Sequence, residues 1–256
     1  MDDVTAPSQA GQLERADGPR LAFVRSAGLA PEIVFLGGWA STMSGTKSLF
    51  LEAHARRLGH AFTRFDYRGH GASDGRFEDA TIGDWLDDTL AVLDAVVRHP
   101  FVLVGSSMGA WLMLLAALAR PDRLRGLVGI AAAPDFTTRL LEPALTAAQR
   151  ESLEREGLVA LPSAYGDPVP LRPRFLEEGA RHALLGAPIA IGRPVHLLHG
   201  QDDADVPWQL SLELAARLKA PHVTLELVKD GDHRLSRPSD LRRIMHALDH
   251  VLEDAL

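Results

Sequence analysis

The chain has 256 residues, 46% hydrophobic and 24% charged, with a formal net charge of -7 and no cysteine. That is a globular composition with length enough to bury a sizeable core, and it excludes disulfides and thiolate metal sites. Lys and Arg are spread along the chain without a basic stripe, which argues against nucleic acid and for a small-molecule or protein-linked acyl partner.

In chain order, residues 1–18 come first. The opening "MDDVTAPSQAGQLER" is acidic and lacks an apolar core. It reads as a flexible tail, and as neither a secretory signal nor an Arg-rich transit peptide, so the default location is cytoplasmic. From residue 19 to 256 the pattern is that of one domain. Short apolar runs, "LAFVRS", "EIVFLG", "HAFTRFD", "FVLVGS", "LRGLVGIAA", "PVHLLHG" and "HVTLELV", alternate with longer helical stretches. Continuous apolar strands of this kind, each followed by a turn and a helix, predict an α/β fold with a mostly parallel central sheet covered on both faces. Helices are expected over Thr46–Leu58, with an apolar face at Leu49, Ala53 and Leu58, and over Thr81–Val97, capped by Thr81 with Asp84 at the third position. Another is expected over Pro207–Leu218, opened by proline, and a last one, capped by Ser239 or Ser236, runs to about Glu253.

Between residues 135 and 192 the rhythm breaks. A helical piece, "TAAQRESLERE", precedes the turn-rich "GLVALPSAYGDPVPLRP", which has room for a small hairpin, and a second helical piece, "RFLEEGARHALL". So long a connection in a compact domain carries its own structure and reads as a lid inserted between two strands. The apolar run from Trp111 to Ala119 is far shorter than the roughly 20 residues needed to cross a bilayer, so no membrane span is expected.

Chemistry enters at "FVLVGSSMGAW". Gly105, Ser107 and Gly109 satisfy the G-x-S-x-G pattern, whereas Ser106 lacks glycines at those offsets. The pattern marks a strand-to-helix turn so tight that side chains two residues before and after the serine would collide, and glycine removes the collision. By chance it arises in about one chain of this length in ten. Here it lies between a strand run and a helix run, the context the mechanism needs. A serine hydroxyl is a weak nucleophile and requires a histidine base, itself oriented by a carboxylate, and both should follow the serine on loops after late strands. "HGQDDADVPW" supplies Asp203 and "KDGDHRLS" supplies His233, the one histidine in the loop after the last strand. The remaining histidines have plainer readings: His196 and His199 lie within a strand, and His246 and His250 lie four apart on the last helix. An oxyanion hole would use the backbone N–H of Met108, after the serine, and that of Trp39, behind Gly37 and Gly38 in the loop after an early strand. The Gly-rich "DYRGHGASDG" lacks phosphate-loop spacing, and nothing in the pattern requires a cofactor or a metal.

Taken together, "MSGTKSLFLEAHARRLGHAFTRFDYRGHGASDG", "LVGSSMGAWLMLLAALARPDRL", "LLHGQDDADVPW" and "DHR" resemble the alpha/beta hydrolase domain-containing protein 10 family. The resemblance implies an α/β-hydrolase fold and a serine hydrolase acting on acyl groups: thioesters such as S-palmitoyl cysteine, acyl glucuronides and other carboxylic esters. By motif it assigns Ser107 as nucleophile, Asp203 as acid and His233 as base. Arg68, His70 and the lid match less closely. The same triad would also serve a C–C bond hydrolase or a cofactor-free peroxidase, and a binding protein can keep the fold without the activity. A histidine base must be neutral to work, so esterase activity is expected to fall on the acid side around pH 6.5, a midpoint that Asp203 can move. A pH–rate profile flat down to about pH 4 would contradict it.

Overall fold

The computed structural model describes residues 8–162 and 168–254. Its frame is an eight-stranded sheet. The strands are β1 (Gln9–Leu13), β2 (Leu21–Ser26), β3 (Leu29–Leu36), β4 (His60–Phe65), β5 (Phe101–Ser106), β6 (Leu124–Ile130), β7 (Val195–Gly200) and β8 (Val223–Val228). Their spatial order is β1-β2-β4-β3-β5-β6-β7-β8, and β3 to β8 run parallel while β2 pairs antiparallel with both β1 and β4. Every apolar run read from the sequence is thus a strand of this sheet.

Within the expected tail over 1–18, residues 1–7 lie outside the described residues and Gln9–Leu13 is instead a strand, β1. Gln9–Leu13 pairs in register with Leu21–Arg25, and the Phe23 ring lies over Gly11. The edge strand is mostly exposed or half-buried, so its backbone pairing demands no apolar alternation that the sequence could have displayed.

Strand alternation divides the interior into two layers. Val34, Leu36, Phe101 and Leu103 face one side, where they pack with the helices α2 (Ile82–Ala95) and α3 (Met108–Ala119). Ile33, Phe35, Val102 and Val104 face the other, against α1 (Thr46–Leu58) and the last helix, Pro238–Asp254. In α3, Met108 through Ala117 are all buried, which explains an apolar run with little helical periodicity. The Thr81 cap of α2 is a full capping box with Asp84.

The face of α1 departs from expectation. Leu49 and Leu58 are exposed, and the buried residues are Ser48, Leu51, Glu52, His54 and Ala55. Polar groups occupy that face because they have partners: Glu52 accepts from Ser26 Oγ at 2.7 Å and Arg64 Nε at 2.7 Å, and His54 meets Asp249 at 2.5 Å.

The insertion expected as a lid carries its own structure. A wide helical turn, Thr137–Leu141, leads to α4 (Ala147–Glu156), a hairpin of Val159–Leu161 with Val169–Leu171, and α5 (Pro173–Arg181). The middle of the turn-rich sequence, 163–167, lies outside the described residues. Buried Asp135 ties the two ends of the lid, accepting from the Leu184 and Leu185 N–H groups at 2.8 Å each. Among the described residues no helix is long and apolar enough to cross a membrane.

The seam between β3 and α3 admits no side chain at Gly109, whose Cβ would overlap the backbone of Leu36 and Gly37. Gly109→Ala should therefore lower the free energy of unfolding by about 1–3 kcal/mol. Urea denaturation checks this, and an unchanged midpoint would refute the close approach.

Candidate active site

The site is built at the carboxyl edge of the parallel strands. Ser107 lies between β5 and α3 in a positive-φ conformation, φ 56° and ψ -121°. For a residue with a side chain this conformation is strained and persists only where neighbours fix it. Ser107 N–H donates to the Ile130 carbonyl at 2.9 Å, and its own carbonyl accepts from Ala110 N–H at 2.9 Å. At Gly105 a Cβ would lie 2.5 Å from the Gly109 carbonyl oxygen and 2.6 Å from Ala110 Cα, so glycine is required there.

The structure brings together the three side chains singled out from the sequence. Ser107 Oγ lies 3.0 Å from His233 Nε2, and His233 Nδ1 lies 2.7 Å from Asp203 Oδ2. Nδ1 faces a carboxylate and therefore carries the ring proton, which leaves Nε2 free to accept from the serine hydroxyl. The other serine, Ser106, is buried beneath.

Asp203 is enclosed by donors. Oδ1 accepts the N–H groups of Asp205 at 2.9 Å and Val206 at 2.8 Å, and Oδ2 accepts from His233 and from His199 Nε2 at 3.0 Å. Its side chain has no solvent exposure. Burial by itself pushes the carboxyl up, yet the hydrogen bonds from His199, His233 and Val206 prevail and hold it well below the usual carboxylate range.

His199 is a neighbour of the site that sequence reasoning missed. It is fully buried in β7, its Nε2 faces two acceptors, Asp203 Oδ2 and the Val206 carbonyl at 3.1 Å, and its Nδ1 accepts from Ser211 Oγ at 2.6 Å. The signal was present in the four-residue spacing of "HGQDD". A strand histidine reads as core, however, until the loop is seen to fold back over it.

Trp39 and Met108 also border the cavity that holds Ser107 and His233. No acceptor among the described residues takes the backbone N–H of either. The Trp39 ring makes a contact that the sequence did not announce: it stacks on Phe175 of the insertion, centroids 5.7 Å apart and planes 7° apart, with Phe136 at 5.7 Å. Arg68 and His70 are accounted for structurally. Arg68 pairs with Asp84 and Asp88, both at under 3 Å, and His70 is packed edge-on among Tyr67, Phe77 and Trp85. The cavity measures about 900 Å³, and its lid side is walled by Phe77, Phe136, Leu140, Leu161 and Pro170. Among the described residues, Asp203, Asp205 and His233 place metal-ligand types within 4.8 Å of one another. Two of these are already joined to each other in the hydrogen-bond chain from Ser107.

A model of the "Alpha/beta hydrolase family" matches residues 33–244. The chain belongs to the alpha/beta hydrolase family. It is 42% identical over 243 residues to "Palmitoyl-protein thioesterase ABHD10, mitochondrial" of Mus musculus, covering 94% of this chain and 82% of that one. The solved structure of alpha/beta hydrolase domain-containing protein 10 from mouse matches with a TM-score of 0.88 at 40% identity, covering 96% of this chain and 98% of its own. A putative hydrolase from Agrobacterium vitis S4 matches with a TM-score of 0.92 at 39% identity, covering 96% and 99%. These relatives make the protein an enzyme of the alpha/beta hydrolase type. They also correct the expected location: the ABHD10 relatives are named mitochondrial, and the cytoplasmic default does not stand. That default rested on the composition of one N-terminal segment, which carries no information about where a folded domain of this family works.

The depressed Asp203 carboxyl sets a sign for stability. A group that ionises lower in the folded than in the unfolded state adds stability above its unfolded pKa, near 3.9, and that share is lost as pH falls through the folded value. Asp203→Asn should be less stable than the wild type at pH 7 by about 1–3 kcal/mol, because an amide N–H₂ then opposes a histidine donor. Urea unfolding at successive pH values should show the deficit narrowing below about pH 4. A deficit independent of pH would contradict the ionised, hydrogen-bonded carboxylate.

Proposed function

We propose that the protein is a serine hydrolase that cleaves acyl thioesters and activated carboxylic esters through an acyl-enzyme on Ser107. The observation that carries this reading is the continuous chain Ser107 Oγ–His233–Asp203, at 3.0 and 2.7 Å, opening on a cavity with an apolar lid wall. His233 takes the Ser107 proton as Oγ attacks the acyl carbonyl. The tetrahedral oxyanion is met by the N–H groups of Trp39 and Met108, the latter at the start of α3 where the helix dipole favours negative charge. Collapse breaks the bond to the leaving thiol or alcohol, which His233 protonates. Water, deprotonated by His233, then attacks the acyl-enzyme and releases the acid with Ser107 restored. Asp203, fixed by His199 and two backbone donors, holds the imidazole in the required tautomer throughout.

A thioester preference is supported by the relatives named palmitoyl-protein thioesterases, and by an apolar wall suited to an acyl chain. A volume of about 900 Å³ is within the roughly 300–1,000 Å³ typical of small-molecule sites. Acyl glucuronides are oxygen esters that the same chemistry would open.

The two neighbouring serines give the test. Hydrolysis of a short p-nitrophenyl ester should drop by about four orders of magnitude or more in Ser107→Ala and persist largely intact in Ser106→Ala. The reverse result would refute the assignment.

A further inference from the structure

We propose that the N-terminal end of α1, with Lys47, Ser48 and Arg234, forms a subsite for an anionic group, a carboxylate or phosphate, carried on the leaving portion of the substrate. This rests on the hydrolase reading above and extends it to the part of the substrate that departs.

Gly45, Thr46, Lys47 and Ser48 line the same cavity as Ser107 and His233. The first N–H groups of any helix lack intrahelical acceptors and attract negative charge. On α2 and α4 Thr81 and Thr146 form full capping boxes, whereas α1 shares with α3 and α5 the lack of a side-chain cap. In α1 the Gly45 cap provides no side-chain bond, no acidic residue occupies the first turn, and no acceptor among the described residues takes the N–H of Thr46, Lys47 or Ser48.

A second observation is independent of the helix end. Ser48 is fully buried, yet its Oγ has no hydrogen-bond partner among the described residues. A buried hydroxyl without a protein partner is rare in folded proteins and leaves a polar atom for a bound group to meet. Two cationic residues, Lys47 and Arg234, line the same cavity. Lys47 Nζ donates to the Arg234 carbonyl and has two further N–H groups to give. Burial, and then the nearby Arg234, bring Lys47 down to about 8 against the opposing pull of Asp232 and Asp240. Uptake of an anion would relieve that crowding of positive charge.

Position identifies which half of the substrate this end receives. The apolar lid wall of Phe136, Leu140 and Leu161 suits an acyl chain. The polar wall adjoins His233, the group that protonates the leaving atom, and Arg234 follows it directly in the chain.

Three thioesters sharing an octanoyl group test the subsite: those of 3-mercaptopropionate, 2-mercaptoethyl phosphate and uncharged 2-mercaptoethanol. The wild type should favour at least one anionic thioester over the uncharged one by about tenfold in kcat/KM, expressed mainly in KM, and the two anionic arms separate carboxylate from phosphate. Lys47→Met should cut the anionic-to-uncharged ratio by about tenfold, and Ser48→Ala by about threefold. A wild-type ratio near one, or a ratio that survives Lys47→Met, would overturn the subsite. If none of the three is cleaved, the hydrolase reading fails by itself, and calorimetric binding to Ser107→Ala protein still decides the subsite. Tighter binding of an anionic thioester, lost when Lys47→Met is added, supports it; equal binding of charged and uncharged thioesters refutes it.

Discussion

The passage from β5 into α3 within a single residue is the constraint on which the rest of the molecule depends. Ser107 sits at φ 56°, in a conformation that costs energy for any residue with a side chain. It is held there because the backbones around it touch: Gly105 against Gly109 and Ala110, and Gly109 against Leu36 and Gly37. The Ile130 carbonyl anchors the Ser107 N–H from the adjacent strand. Strand, helix and neighbouring strand therefore share one fixed geometry, and the hydroxyl is aimed out of the sheet at the point where β3 and β6 also end. Both the loop carrying Trp39 and the lid that begins at Asp135 start from those same strand ends.

On the far side of the site the organising element is a buried carboxylate. Asp203 spends both oxygens on two backbone and two histidine donors, which keeps it ionised in a place where burial would otherwise favour the acid. The two histidines have different freedoms. His199 is locked by Ser211 and the Val206 carbonyl and has no open nitrogen. His233 has Nδ1 on Asp203 and Nε2 on Ser107, so Nε2 is the imidazole nitrogen turned to the serine while Nδ1 stays on the carboxylate. A strand and the loop that follows it supply both the buried carboxylate and the second histidine that holds it.

The fold was legible where local rules and burial agree. Runs such as "FVLVGS" and "PVHLLHG" became buried parallel strands because strands covered on both faces must be apolar throughout. The Thr81–Asp84 box and the lid's helix–hairpin–helix order followed from capping and turn chemistry. The edge strand Gln9–Leu13 did not, since a half-exposed strand is recruited by backbone pairing and not by side-chain pattern. The buried face of α1 was misread for a related reason. Glu52 and His54 are polar residues whose partners, Ser26, Arg64 and Asp249, are remote in sequence, so no local periodicity announced their burial.

The sequence by itself determined the α/β class, and it put Ser107, Asp203 and His233 forward as candidates in the order that the elbow demands. Each of these follows from spacing, which the chain carries along its own length. Only the tertiary structure decided that the three side chains meet within hydrogen-bond distance, that His199 shares Asp203, and that Trp39 stacks beneath the lid. It also brought to the cavity lining a helix end without a side-chain cap, a buried hydroxyl without a partner among the described residues, and two cationic residues. These depend on segments far apart in the chain closing on one another, and the direction and burial of a side chain exist only once that closure has occurred.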